Sequence, residues 1–347
     1  MRQIFHIDMD AFFASVELRR HPALAGQPLV IGGCGDPSAR GVVATASYEA
    51  RAFGIHSGMP LRTAYVLCPQ AVFLPVDYPA YAQASAVVKR ILRGFTPVLE
   101  DVGIDEAYVD LSASTRPPEE AAREIKQRIR AATGLTCSIG IAPNKLLAKI
   151  ASDLEKPDGL TVIAATDVPR RIWPLPVRAI PGVGPVTEAR LHRLGIGVIG
   201  QLAAAGRERL VAVFGASHGA SLHRAAQGVD ERPLVTRRTP KSRSREVTFQ
   251  RDIHDWQAIA RVLAGLCKKV AQDMQRDGCR GRTVAVKVRF NDFETHTREK
   301  TLSGATDAPE RIRQAAFACL GRFSLEKPVR LVGVRLSGLE KAGGPAA

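Results

Sequence analysis

Two short apolar runs set with carboxylates constrain this chain more than any other feature: FHIDMDAFF at residues 5–13 and VLEDVGIDEAYVDL at 98–111. Side chains alternate faces along a strand, so His6, Asp8 and Asp10 share one side of the first run while Phe5, Ile7 and Met9 bury the other. The second run reads as two strands, 98–102 and 107–111, meeting at a tight turn whose tip carries Gly103, Ile104, Asp105 and Glu106. Acids at strand ends are commonly solvated surface, and any one of these taken alone fits that description. Asp8 fits it least, because it sits between Ile7 and Met9, where an unpaired carboxylate is costly and a cation is needed to neutralise it. If both strands lie centrally in one sheet, Asp8, Asp105 and Glu106 converge on divalent ions. That is the arrangement used for in-line phosphoryl transfer with two metals ~3.5–4 Å apart. Asp10 immediately precedes the helical run AFFASVELRR, which suits an N-cap or a supporting role behind the other acids.

At 347 residues the chain exceeds what one core supports, so several domains are expected. No stretch reaches the apolar length of a membrane span and MRQIFHIDMD has no signal-peptide core, so the expectation is a cytoplasmic protein with no membrane partner. The six cysteines (Cys34, Cys68, Cys137, Cys267, Cys279, Cys319) lack zinc spacing and read as reduced thiols. A formal net charge of +15 points to a polyanion, and residues 237–341 hold 23 Lys plus Arg against 12 Asp plus Glu, so the last third carries most of the excess. With no basic amphipathic helix bearing an aromatic face, nucleic acid is favoured over a membrane surface.

Residues 1–165 alternate strand-like runs (IFHID, PLVIGG, GVVATA, AVFLPV, TCSIGIA, LTVIA) with helical stretches at 79–94 and 118–133, an α/β pattern. Residues 166–232 read as short helices without a convincing strand. Within them AIPGVGPVTEARLHRLGI sets Gly182 and Gly184 in a turn between helices, a helix-hairpin-helix whose backbone N–H groups can meet a phosphate. VTRRTPKSRSREV then forms a solvated linker in which Lys241, Arg243 and Arg245 can lie along phosphates. Strand, helix, strand, strand, helix, strand follow at 244–251, 255–276, 282–291, 294–302, 308–323 and 329–337, a ferredoxin-like β-α-β-β-α-β unit. In its third and fourth elements the alternation assigns Lys287, Arg289, Arg298 and Lys300 to one basic sheet face. GGCGDPSARG is not a P-loop, since no GK[ST] follows its glycines.

Taken together, FHIDMDAFFASVE, GVVATASYEARAFGIHSGMP, GIDEAYVDLS, CSIGIAPNKLLAKIASDLEKPDGL, IPGVG and KSRSREVTF resemble, in order along nearly the whole chain, a Y-family translesion DNA polymerase of the DNA polymerase IV (DinB, kappa-like) type. The resemblance implies a multi-domain α/β architecture: an α+β palm (1–15 and 74–165) with fingers (16–73), a helical thumb with helix-hairpin-helix (166–232), a linker (233–243), a β-α-β-β-α-β little finger (244–341) and a tail (342–347). It implies that Asp8, Asp105 and Glu106, with the Met9 carbonyl, hold two Mg²⁺ per active site, Mn²⁺ being able to substitute. One ion would help deprotonate the primer 3′-hydroxyl and the other would hold the triphosphate and stabilise the leaving pyrophosphate. Tyr48, Arg51 and Lys156 match positions that contact the incoming triphosphate. Phe13 matches the steric gate against a ribose 2′-hydroxyl, with Phe12 its neighbour; without the resemblance both are core residues.

Gly103 stands where the family usually has Ser, removing a hydroxyl and permitting positive φ at the turn. The implied activity is template-directed addition of deoxynucleotides to a primer, without proofreading and past lesions, by a monomer acting on primer–template DNA. A sliding clamp stays among the implied partners, although LEKAGGPAA lacks the usual Gln- and Leu-rich clamp motif. Two alternatives remain at this point: a non-catalytic DNA-binding assembly factor of a repair complex, and a two-metal nucleotidyl cyclase.

Overall fold

The computed structural model describes residues 2–324 and 326–341. These divide into two compact units, one running to Pro37 together with Gly41–Arg237, the other comprising Ser38–Arg40 and the chain from Arg238 onward. The expected tail at 342–347 lies outside the described residues.

In the first unit, β1 (Ile4–Met9) runs into α1 (Phe12–Arg20). β2 (Leu29–Gly32), β3 (Val43–Ala46), α2 (Tyr48–Arg51), α3 (Leu61–Leu67) and β4 (Val72–Leu74) come next, with the three strands forming a small sheet ordered β3-β2-β4. Then follow α4 (Tyr78–Arg93), β5 (Leu99–Asp101), β6 (Glu106–Asp110), α5 (Pro118–Thr133), β7 (Cys137–Ala142), α6 (Lys145–Leu154) and β8 (Leu160–Val162). The larger sheet is ordered β5-β6-β1-β7-β8, so the carboxylate-bearing β1 is central and β6 is its direct neighbour. Alternation along β1 divides two cores. Phe5, Ile7 and Met9 pack with Val88 and Leu92 of α4 and Ile125 and Ile129 of α5, whereas Ile4 on the other face packs with Leu146, Leu147 and Ile150 of α6. The two buried faces explain why β7 is apolar throughout, CSIGIA, with every residue buried.

The rest of this unit is helical: α7 (Pro185–His192), α8 (Ile199–Ala204), α9 (Arg207–Phe214) and α10 (Ala216–Ala226). Among the described residues of 166–232 none joins a sheet. The chain after α10 is tied down: the Asn144 amide donates to the Gly228 carbonyl, the Leu146 N–H donates to Asp230, and the Val235 N–H donates to buried Glu100.

In the second unit β9 (Ser242–Ile253), α11 (Trp256–Arg276), β10 (Cys279–Phe290), β11 (Thr295–Thr306), α12 (Pro309–Leu320) and β12 (Val329–Lys341) follow the expected element order. The sheet is antiparallel and ordered β11-β10-β12-β9, with the second and fourth strands of the unit at its centre. Val284, Val286 and Val288 of β10 face Leu263, Leu266 and Val270 of α11, leaving the opposite sheet face uncovered by helices of this unit. Among the described residues no helix is long and apolar enough to cross a membrane, and all six cysteines are free.

Candidate active site

Backbone pairing alone brings the two acidic runs together. Asp8 of β1 stands directly opposite Glu106 of β6 on one side and Ser138 of β7 on the other. The Met9 N–H donates to the Asp105 carbonyl at 3.0 Å, which fixes the turn between β5 and β6 against the end of β1. Ligand atoms of His6, Asp8 and Glu106 lie within 4.8 Å of one another, a group able to hold a metal ion. His6 had stood out only for sharing the acidic face; it is fully buried, with Nε2 3.1 Å from Glu106 and Nδ1 2.8 Å from the Ser152 hydroxyl. Burial lowers its pKa from the ordinary value.

The two adjacent carboxyls of the turn are driven apart electrostatically. The hydrogen bond from His6, with Lys149 beside it, holds Glu106 down to about 2. Burial, then the negative charge of Asp8, raises Asp105. Lys149 of α6 lies 2.7 Å from Glu106 and 3.8 Å from Asp8, and Lys156 lies 3.0 Å from Asp8 and 2.7 Å from Asp153. Burial opposes the charge on Lys156, but Asp8 and Asp153 overcome it and raise the ammonium above its ordinary range. Lys149 was not read from the sequence. Its signal was a lysine on the buried side of KLLAKIASDL, between Leu146 and Ile150.

Asp10 does not cap α1. The N-cap position is Ala11, in the left-handed region at φ 43° and ψ 46°, a conformation that costs an alanine about 1–2 kcal/mol. The Asp10 carboxylate instead accepts from the Ser138 hydroxyl at 2.7 Å and the Asp158 N–H at 2.9 Å, which leaves a buried acid satisfied and holds the loop carrying Lys156. Gly103 does not use positive φ either. A Cβ there would meet Glu106 Cγ at 3.4 Å and Asp105 Oδ1 at 3.5 Å, ordinary contacts that a serine could make.

The two phenylalanines after Ala11 differ in surroundings. Phe12 lies in the core, and Phe13, 8% exposed, stacks on Tyr81 with centroids 4.1 Å apart and meets Tyr78 edge-on at 6.0 Å. The Tyr81 hydroxyl donates to Glu17 at 2.8 Å, which fixes the ring beneath Phe13. The Tyr48 hydroxyl is buried with no hydrogen-bond partner, and the Arg51 guanidinium lies 4.9 Å from the Tyr48 ring centroid. A buried, orphaned hydroxyl with Arg51 at its ring, and with Lys156 as well as Asp10 and Asp8 in its electrostatic surroundings, fits a hydrogen-bond acceptor supplied from outside the chain. Asp8 and Glu106 of the converging group fit a hard divalent cation, with Asp105 next to Glu106 but outside that group.

The candidate DNA contacts divide rather than converge. Gly182 has φ 94° and needs glycine for that reason, whereas at Gly184 neither φ nor any neighbour requires one. Lys241 is exposed just before β9. Lys287 and Arg289 do share the uncovered sheet face, where they reach Glu246 at 2.9 Å and the Thr295 hydroxyl at 2.8 Å. Arg298 and Lys300 do not join them. Cross-strand partners share a face, and these two oppose Val286 and Val284, so they point to the helix side; the Arg298 guanidinium lies over the Phe323 ring. Arg243 and Arg245 likewise oppose Leu336 and Val334 and pair with Asp277 and Asp273 of the α11 end. Alternation gives the faces of one strand but not the register between two, and a slip of one residue inverts the assignment.

Residues 7–153 match the impB/mucB/samB family, 240–346 its C-terminal domain, and 178–230 a thumb domain described for DNA polymerase-iota. A protein named DNA polymerase IV from Methanoculleus marisnigri is 47% identical over 98% of this chain and 95% of its own length. Another of that name from Alkalilimnicola ehrlichii is 45% identical over 97% of this chain and 95% of its own, and one from Streptomyces coelicolor is 44% identical over 97% and 71%. Among solved structures, a Y-family DNA polymerase chimera of Dbh and Dpo4 superposes with a TM-score of 0.84 at 29% identity, covering 97% of this chain and 98% of that one. The likeness runs along nearly the full length, over the acidic sheet, the glycine-turn helical segment and the two-helix, four-stranded C-terminal unit of this chain, and this chain belongs to the DNA polymerase IV group of the Y-family polymerases.

Proposed function

We propose that this chain is a DNA-directed DNA polymerase that adds deoxynucleotides to a primer 3′ end, copies past lesions and has no proofreading activity. The observation that carries the reading is the direct cross-strand pairing of Asp8 with Glu106, with Asp105 adjoining, in a chain of this family. Asp8, Asp105 and Glu106, with the Met9 carbonyl, would hold two Mg²⁺ ions, which when bound supply the electrostatic stabilisation that phosphoryl transfer needs. The remaining work belongs to the protein. Tyr48 would give its orphaned hydroxyl to the triphosphate, Arg51 and Lys156 would meet its charge, and Phe13 on its Tyr81 base would exclude a 2′-hydroxyl.

Primer–template DNA would be held by the turn at Gly182 and Gly184, where the open space at Gly184 lets a phosphate approach the backbone, by Lys241, and by Lys287 and Arg289 on the uncovered sheet face. The palm, fingers, thumb, linker and little finger boundaries given above form part of the same proposal, as do a monomeric state, a cytoplasmic, nucleoid-associated location and a sliding clamp as a further partner. An assembly factor without catalysis would have no use for three carboxylates and two compensating lysines at one sheet end. Primer extension with Mg²⁺ and four deoxynucleotides, beside an Asp105→Ala/Glu106→Ala variant, tests the reading: extension by the wild type alone supports it, and DNA binding without extension by either protein rejects it.

A further inference from the structure

We propose that Lys89 is a positioning residue for the carboxylate turn, and that it, together with the Met9 N–H bond to the Asp105 carbonyl, sets where Asp105 and Glu106 stand. Lys89 lies on α4, next to Val88 and three residues before Leu92, and is buried. An ammonium has three N–H donors, and the three acceptors here all belong to one short segment: Asp101 Oδ1 at 2.6 Å, the Gly103 carbonyl at 2.8 Å and the Glu106 carbonyl at 2.7 Å. These atoms bracket the turn at the end of β5, at its tip and at the start of β6. The backbone bonds that should close the same turn are long, with the Val102 and Gly103 N–H groups reaching the Glu106 carbonyl at 3.4 and 3.3 Å.

A glycine at 103 adds neither a side-chain brace nor conformational stiffness. The clamp therefore falls to a side chain from a helix. Burying an ammonium is a poor way to gain stability, since desolvation offsets most of the attraction, so its benefit lies in geometry. Lys89 does not touch a carboxylate that would bind metal; it holds the Gly103 and Glu106 carbonyls on either side of Asp105.

This inference rests on the polymerase reading, and its test separates the two. Mn²⁺ binding is measured directly by electron paramagnetic resonance on the protein with a dideoxy-terminated primer–template and the next deoxynucleotide, and kcat and KM are measured on an extendable primer. If the wild type neither binds Mn²⁺ nor extends, the polymerase reading fails. If it does both, Lys89→Met is expected to weaken Mn²⁺ binding at least ~5-fold and to lower kcat by about 100-fold with little change in nucleotide KM, the cost of a displacement near 1 Å. A lysine that merely held the fold would lower the melting midpoint and leave the Kd of the folded protein for Mn²⁺ unchanged; that result overturns the proposal. Should Lys89→Met fail to fold, Asp101→Ala decides, because Asp101 is 53% exposed and its loss frees one of the three anchors. A weaker effect of the same kind, about 2-fold in Kd, supports the clamp, and wild-type values of Kd and kcat overturn it.

Discussion

The acidic end of the five-stranded sheet and the uncovered face of the four-stranded sheet handle charge in opposite ways. At the first, most charged groups are half-buried and bonded to one another or to the backbone: Glu106 has His6 and Lys149, Asp8 has Lys156, and buried Asp10 has a hydroxyl and an N–H. On the second, Lys287 and Arg289 are half-buried side chains with one polar partner each, among threonines and serines. Chemistry at a reacting phosphorus needs atoms fixed to fractions of an ångström, and a dense network supplies that. Holding a duplex of any sequence needs charge that can adjust.

Asp8→Ala is the hardest test of that contrast, since it leaves Lys156 with Asp153 alone and removes a proposed metal ligand. Primer extension should fall by at least ~10³-fold, and a smaller loss would mean that the network tolerates gaps. Phe13→Ala comes next. Ribonucleotide incorporation should rise by about 10-fold or more with deoxynucleotide addition largely kept, and calorimetry should register a loss of about 3 kcal/mol from the unstacked Tyr81. Unchanged sugar selectivity would remove Phe13 from the gate.

On the adaptable surface the effects are graded. Lys287→Ala/Arg289→Ala should weaken primer–template binding evenly across sequences and reduce the log–log salt slope by about 2, whereas Arg298→Ala, on the helix side, should change the slope by less than about half a unit. Equal slopes for both variants would place DNA on the other face. Tyr48→Phe has the smallest effect on the fold, because the hydroxyl it removes has no partner in the protein: stability should hold or rise by up to ~1 kcal/mol while the nucleotide KM rises a few-fold.

Acid titration probes the same network. Because the folded protein holds Glu106 at about 2 against an ordinary 4.5, its contribution to stability is complete above the ordinary value and is lost as pH falls through the folded one. Glu106→Gln should flatten the acid limb of unfolding in that window.

Much of this was legible in the residues. Period-two alternation gave both faces of β1, turn residues marked the β5–β6 connection, and helical periodicity found α4 and α5 to within a residue. What stayed hidden depends on register and on partners far along the chain. Arg298 was assigned to the wrong face because nothing within ETHTREKTL says which residue of β10 it opposes. Asp10 was left between a cap and a supporting role because its partners, Ser138 and Asp158, lie more than a hundred residues away. Lys89 left one trace, a cation beside the apolar stripe of α4 formed by Tyr81, Val88 and Leu92.

The ammonium groups of Lys149 and Lys156 bear on how the protein lives between catalytic cycles. An acidic centre without them would repel itself and loosen the strands that carry it; with them the chain is its own counterion. A divalent metal would then enter by exchange with these ammonium groups, as a reagent for the reaction and not as a rivet in the scaffold. Chelation should silence such a protein without softening it, so that it can be stored idle and started by the arrival of its substrates.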